Sequence, residues 1–508
     1  MDAFSRNIIT ASLVLFALFL IGVAIKSRSK SDNLRSYAVG SITFTPLSVA
    51  LALAASLTSA ATFIINPGFI SLYGLSAYLA FGVVMPLAIF VALAFLIKRF
   101  RKYGVNVGSL SIADWLGKRY NSKFLQILFG FLSILLVTFI VLICVGITKV
   151  VAKALDANEI YVLITVVAIV FGYIMLGGAN AMVYTNSLQA VIMIVVAGIM
   201  LTSGAEQLFA GEGSDMFSQL AAIDPDLVKP FNEKSPLFRD FFEVVVCNAI
   251  IGIAIVCQPH ILTKSLLLKK DEQVNRFLIY SVLILILFFS VVFTGFYARL
   301  HFPDLTMNGE ALQMDGIISA YVVSKFSVYV SILLIIGLIA AGLSTLEGLI
   351  QSIPTTITND LILPLLGSER ADRSAITINR WVAVGIAVMA VLLSVDQLRS
   401  PNLSVGIFAQ NGVYAFFSAA FVPVLFGIFT KTQNKWLAII SSLIAVGTHF
   451  SIYYFELTPY MKGVDVKNPA VASALALILS TLVGLVIYLV KPAKSTVKVN
   501  KDKPVTAF

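Results

Sequence analysis

The sequence predicts an all-α polytopic membrane protein built on two inverted five-helix repeats. Three observations carry that expectation. Of 508 residues, 59% are hydrophobic and only 12% charged, with a mean hydropathy of +0.94, whereas a soluble chain carries about 25% charged residues. The apolar residues gather into thirteen runs, each near the ~20 residues that cross a bilayer core. Two of these runs are interrupted by proline among polar residues, at matching places in two halves of the chain.

In order, the runs read as Ile8–Ile25, Pro46–Tyr73, Ala77–Ile97, Phe124–Val151, Ile160–Leu176, Met182–Gly204, Phe241–Leu262, Phe277–Arg299, Tyr321–Asp360, Asn379–Val395, Leu403–Phe429, Trp436–Phe455 and Ala470–Leu489. The first has no small-residue cleavage site and basic residues follow it, so it is expected to be a retained helix rather than a signal peptide. The ninth is long enough for a span plus an extension, or a kink at Pro354. Lys and Arg fall on alternate loops: Lys26, Arg28, Lys30 and Arg35, then Lys98 to Lys102 with Lys118 and Arg119, then Lys264 to Arg276, then the tail from Lys491 to Lys503. The positive-inside rule places the N-terminus outside and the C-terminus inside. It also accounts for the formal charge of +10 without nucleic acid. The expected units are an extra helix and loop (1–45), a first repeat (46–204), an external loop (205–240), a second repeat (241–429), two further helices (430–490) and a basic tail (491–508). The repeats start an odd number of spans apart, so they enter the membrane from opposite sides.

The second run carries Ser56, Thr58, Ser59, Thr62 and Asn66 ahead of a break expected at Pro67–Gly68; the seventh carries Asn248, Gly252, Gln258, Pro259 and His260. Proline removes a donor and frees a carbonyl, which membrane depth tolerates only beside protein or a wet cavity. Paired interrupted helices point to a transporter's binding site. In the ninth run Ser344, Glu347, Gln351, Thr355 and Thr358 share an arc of roughly 80° at 100° per residue, with Thr345 beside it and Ala340, Ala341 and Gly342 leaving the backbone open. Hydroxyls alone are equally a packing face; a carboxylate among them points to function. Carbonyls of Ala55 and Thr58 facing the hydroxyls of Ser344 and Thr345 make a neutral oxygen cage of the kind sodium takes.

Other residues read more plainly. Lys264 is expected to snorkel to the interface, and SIADWLGKRY around Trp115 to form an amphipathic interfacial helix. His260 is either a structural donor or a proton carrier. The basic tail is a positive-inside anchor that also suits anionic lipid. Cys144, Cys247 and Cys257 lie in apolar runs and form neither a disulfide framework nor a metal spacing. No paired aspartates, Ser–His dyad or metal motif stands at enzyme spacing, so no enzyme is expected. No repeated pore segment suggests a channel, and the stretch after Leu489 is too short for a signalling domain.

At these residues the chain resembles the sodium:solute symporter family, whose members include sodium-coupled proline, pantothenate, sugar and sialic acid carriers. AAGLSTLEGLIQS resembles the family's A-x-x-S-[ST] segment, and GGANAMVYTNSLQA its G-G…T-D-x-x-Q segment. QPHILTK resembles Q-P-H-I-x-x-R of proline and related carboxylate carriers, and IDPDLVKP a loop of pantothenate carriers. The resemblance implies a LeuT-type fold alternating between outward- and inward-open states in a plasma (bacterial inner) membrane. It implies sodium as coupling ion, held by backbone carbonyls of Ala55, Thr58 and Ala341 and side chains of Ser344 and Thr345. No organic cofactor, nucleic acid or obligate protein partner is implied. The solute, favoured as a carboxylate or amino acid with a sugar as the other class, would meet Ser59, Thr62, Gln258, His260 and Gln410. Two departures stand out: the T-D-x-x-Q aspartate is Asn186, and Glu347 stands where many relatives have a small or hydroxyl residue. Glu347 with Asn186 and Gln189 is therefore a candidate second cation site; the alternative is a protonated Glu347 bonded to Asn186 or Gln351. A proton-coupled carrier using Glu347 or His260 is the competing function.

Overall fold

The computed structural model describes residues 3–26, 34–39, 44–107, 109–208, 215–268, 270–366, 368–400 and 404–490. The basic tail, Arg28, Lys30 and Lys269 fall outside them. Among the described residues eleven helices are long and apolar enough to cross a membrane, or twelve with one bent pair. In chain order they are α1 (Arg6–Lys26), α2 (Pro46–Tyr73), α3 (Leu75–Arg101), α4 (Lys123–Leu155), α5 (Glu159–Gln207), α6 (Phe242–Cys257 with Pro259–Leu267), α7 (Gln273–His301), α8 (Val328–Ile362), α9 (Ser374–Arg399), α10 (Val405–Phe429), α11 (Lys435–Phe455) and α12 (Pro469–Val490). A two-residue ribbon, Thr306–Met307 against Glu310–Ala311, is antiparallel. Two of the thirteen expected runs share α5, which is continuous except at Gly178 (φ 64°, ψ −166°).

Burial separates the centre from the rim. The apolar windows of α10, α2 and α8 are 83%, 78% and 67% buried, against 17% for α1 and 22% for α9. α8 packs on α5, α2 and α4, while Leu15, Leu18 and Phe19 of α1 and Trp381 and Leu392 of α9 face outward. With no water to prefer, an outward apolar face is the natural one in lipid. The polar stripe of α8 is wholly interior: Ser344, Glu347, Gln351, Thr355 and Thr358 are all buried.

The breaks fall where backbone chemistry allows, and one is not where the sequence suggested. Thr45 caps α2 by accepting from Ser48 N at 3.1 Å, and Pro46 takes the first turn. The helix then breaks at Ser59 (φ 15°, ψ −177°), not at Pro67–Gly68. Pro67 instead follows a wide turn at Ala61–Ile65 and sits in the first turn of Asn66–Tyr73, where its missing N–H costs nothing. In α6 the expectation holds. Gln258, forced extended by the following proline, has φ −69° and ψ 142°, and the two arms meet at 65°.

Three further expectations need correction. Residues 321–325 belong to a separate helix, Ile317–Lys325, so α8 begins at Val328 and then runs helically past Pro354. The Trp115 helix (Ile112–Arg119) forms, but Trp115 is fully buried against Phe100 at 5.2 Å rather than interfacial. Arg119, from the same helix, donates to the carbonyls of Gly427 and Thr430 at 2.8 Å, so this segment clamps the end of α10. Lys264 is 2% exposed and does not snorkel: its acceptors lie on α2, and it points inward.

The loop after α5 docks on the end of α2. Asp224 caps Asp226 N at 2.9 Å, and Lys229 and Lys234 hold the Asp226 carboxyl below the usual carboxylate range. The Leu227 carbonyl rests over Gly74 (φ 62°) so closely that a Cβ there would lie 1.9 Å from it.

Candidate functional site

The site grows from the contact between α2 below its break and the middle of α8. Ser344 Oγ lies 2.9 Å from both the Ala55 and Ala341 carbonyls. Thr345 Oγ1 donates to the Ser56 carbonyl at 2.8 Å and is 3.4 Å from that of Ala55. All of these atoms are buried. Four of the five predicted sodium ligands, Ala55, Ala341, Ser344 and Thr345, are thus brought together. Thr58 is buried one turn on, and its hydroxyl donates back to the Ala54 carbonyl at 2.8 Å. The break at Ser59 ends the helical bonding here, so this stretch presents carbonyls rather than side-chain charge. Gly342 does not open toward the cluster: an added Cβ would meet Ile147 of α4 at 2.8 Å.

Glu347, one turn along α8 and 1% exposed, sits in a donor pocket of its own. Tyr173 Oη donates to it at 2.6 Å and Gln189 Nε2 at 2.8 Å; Thr185 Oγ1 makes a third, very short bond. Its partners are therefore neither Asn186 nor Gln351. Asn186 Nδ2 instead donates to Ser56 Oγ at 2.9 Å and to the Ser344 carbonyl at 3.1 Å. Gln351 donates to the Ala38 carbonyl at 2.6 Å. Ser56 Oγ is a hub: it donates to the Ser344 carbonyl at 3.0 Å and also accepts from Lys264 Nζ at 2.8 Å. Lys264 Nζ reaches the Ala52 carbonyl as well, at 3.1 Å. The buried acceptor oxygens Asn186 Oδ1 and Gln189 Oε1 have no hydrogen-bond partner.

Two clefts flank this polar centre. One, a narrow cleft of about 80 Å³, is lined by Ser59, Thr62, Asn66, Gln258, Gln410 and Tyr414 among apolar walls that include Phe81, Phe139 and Phe289. It gathers four of the five predicted solute contacts. No charged side chain is among its described lining residues, and Gln258 Oε1 is buried there without a partner. The fifth, His260, lines the other cleft, of about 40 Å³, with Lys264, Gln351 and Thr355. Both His260 nitrogens lack a partner, and its ring lies 6.1 Å from that of Phe139. Phe139, a wall of the first cleft, thus packs beside His260 of the second.

Sequence reasoning missed Ser56 as a hub, Lys264 as a buried cation, and Tyr173 and Thr185 as partners of Glu347. Thr185 lies in the T-N-x-x-Q run and was legible. Tyr173 was not, because Gly178 breaks the helix between them and 3.6-residue periodicity cannot be carried across it.

Comparison with known proteins matches this architecture. Residues 37–445 match the sodium:solute symporter family, and the chain belongs to that family. It is similar to the sodium/pantothenate symporter of Escherichia coli, with 26% identity over 488 residues, 93% of this chain and 95% of that one. The sodium/pantothenate symporter of Haemophilus influenzae is 25% identical, over 86% of this chain and 88% of that one. A high-affinity proline transporter of Bacillus subtilis is 23% identical, over 82% and 86%. Among solved structures, a substrate-bound, outward-open Na+-coupled sialic acid symporter superimposes with a TM-score of 0.75 at 14% identity, covering 96% of this chain and 99% of that one. The shared fold is that of Na+-coupled transporters, and the protein is an integral membrane protein.

Proposed function

We propose that the protein imports a small polar solute, a carboxylate or amino acid, coupled to sodium by alternating access in a bacterial plasma membrane. The observation that carries this reading is the oxygen cluster at Ala55, Ala341, Ser344 and Thr345, on a broken helix whose other half lines a cleft with unpaired polar groups. Its ligands are neutral, as sodium accepts, and the ion would replace hydrogen bonds that now join α2 to α8. The uncharged cleft suits a solute whose net charge a sodium ion cancels. Relatives named for pantothenate and proline support the carboxylate class.

The topology follows the same reading. The α-helical part of α5, 44 residues from Glu159 to Thr202, would if straight be about 66 Å long at ~1.5 Å per residue, more than twice a ~30 Å core. Taking Gly178 as the divide gives thirteen crossings, repeats at 46–204 and 241–429, an external N-terminus and an internal C-terminus.

The test is the thermal midpoint of the purified protein in sodium, potassium or lithium chloride at fixed ionic strength. A ligand that binds only the folded state stabilises it by RT ln(1 + [L]/Kd). Sodium-specific stabilisation, lost in Ser344→Ala and Thr345→Ala, is expected. No ion preference, with stability tracking pH instead, would shift the coupling to protons. In a companion measurement, Gln258→Leu should keep the sodium response but weaken solute-dependent uptake about tenfold, since an unpaired amide in the cleft recognises a polar solute. Unchanged uptake would remove Gln258 from the solute site.

A further inference from the structure

Besides the hydroxyl cluster, the buried centre holds one carboxyl and one amino side chain, Glu347 and Lys264, that the proposed function leaves unused. Glu347 on α8 and Lys264 on the second arm of α6 are 1% and 2% exposed, and both are buried beside the contact of α2 with α8. No direct ion pair links them; each bonds to neutral groups. Lys264 Nζ donates to Ser56 Oγ, Ser56 Oγ accepts from Asn186 Nδ2, and Gln189, on the same face of α5, donates to Glu347. Lys264 has three N–H donors and two acceptors in place, Ser56 Oγ and the Ala52 carbonyl. Asn186 Oδ1 and Gln189 Oε1 are buried without donors. A buried carboxylate needs a compensating charge, and the chain supplies one.

We propose that Lys264 provides the positive charge that a second sodium would bring to Glu347, Asn186 and Gln189, so that this carrier binds and co-transports a single sodium. The inference rests on the sodium-coupled reading of the Ser344 cluster. Lys264 arrives on the short arm beyond the Gln258–Pro259 break, so its presence in the centre depends on the angle between the arms of α6. Lys264 is a positioning residue: it acts through the charge of Glu347, not by touching the solute.

Equilibrium binding of isotopically labelled sodium to the purified full-length protein tests this, counted per chain and titrated against potassium at fixed ionic strength. The parent and Lys264→Arg should bind one sodium. Lys264→Gln should bind two, with a steeper titration, because Glu347 then takes an ion from solution. The double variant Lys264→Gln/Glu347→Gln should return to one. Ser344→Ala should lose the first ion without affecting the second in the Lys264→Gln background. Two ions in the parent, or a single ion with unchanged half-saturation in Lys264→Gln, would overturn the proposal while leaving sodium coupling intact. No sodium at all in the parent would instead remove the coupling on which it stands. If Lys264→Gln does not fold, Glu347→Gln alone decides. Its uncompensated ammonium should raise sodium half-saturation about fivefold or more, and an unchanged value would refute the charge pairing.

Discussion

Glu347→Leu is expected to lower stability by about 3 kcal/mol or more, since three buried donors each lose their acceptor at about 1–3 kcal/mol. The loss has two sources. Tyr173 Oη, Thr185 Oγ1 and Gln189 Nε2 all donate to this carboxylate, and each is left buried with an unmet donor. Lys264 is also left with no negative charge nearby. The measurement is the thermal midpoint of the purified protein, followed by ligand-free unfolding in detergent. Glu347→Leu combined with Lys264→Leu should recover a substantial part of the loss, because the stranded ammonium is gone. If the double variant were as unstable as the sum of the two single ones, the charges would be energetically independent and the geometry would have misled.

Gly74→Ala should be similarly damaging, for a different reason. Gly74 has φ 62° and ψ −134°, a region that residues with a Cβ rarely enter, at a cost of about 1–3 kcal/mol. The added carbon would lie 1.9 Å from the Leu227 carbonyl oxygen and 2.5 Å from its carbonyl carbon. Those are backbone atoms and cannot swing aside, so the 215–240 loop must lift from the end of α2. Expected results are a fall in thermal midpoint and faster proteolysis within that loop. A variant with parental protease resistance would show that the loop does not depend on this contact.

How far the sequence could be read depended on what fixes each feature. Hydropathy found the long apolar helices because a bilayer core demands length and apolarity and little else. The face carrying Ser344, Glu347 and Gln351 was legible because α8 is regular, so angular spacing translated directly into position. The break in α2 was misplaced because proline was read as a helix breaker. Yet Pro67 lies at a helix start, where it is tolerated, and the true break at Ser59 carries no residue that demands one. Lys264 was read as an interfacial anchor because a lysine near a span's end usually reaches for water. What turns it inward is the 65° bend at Gln258, a tertiary feature. His260 and Gln258 are two residues apart, yet they line different clefts, because that same bend separates them.

The break at Ser59 also has a thermodynamic consequence. On one side of this joint Ala55 and Ser56 belong to the hydroxyl cluster, and on the other Ser59 and Thr62 line the cleft. Under the proposed function, ion and solute would meet the same helix within two turns, and whichever arrived first would fix the geometry the other encounters. Whatever factor sodium contributes to solute affinity, solute must return to sodium affinity. A solute that stiffens this joint should thus announce itself before any flux is measured, as a leftward shift of the sodium titration.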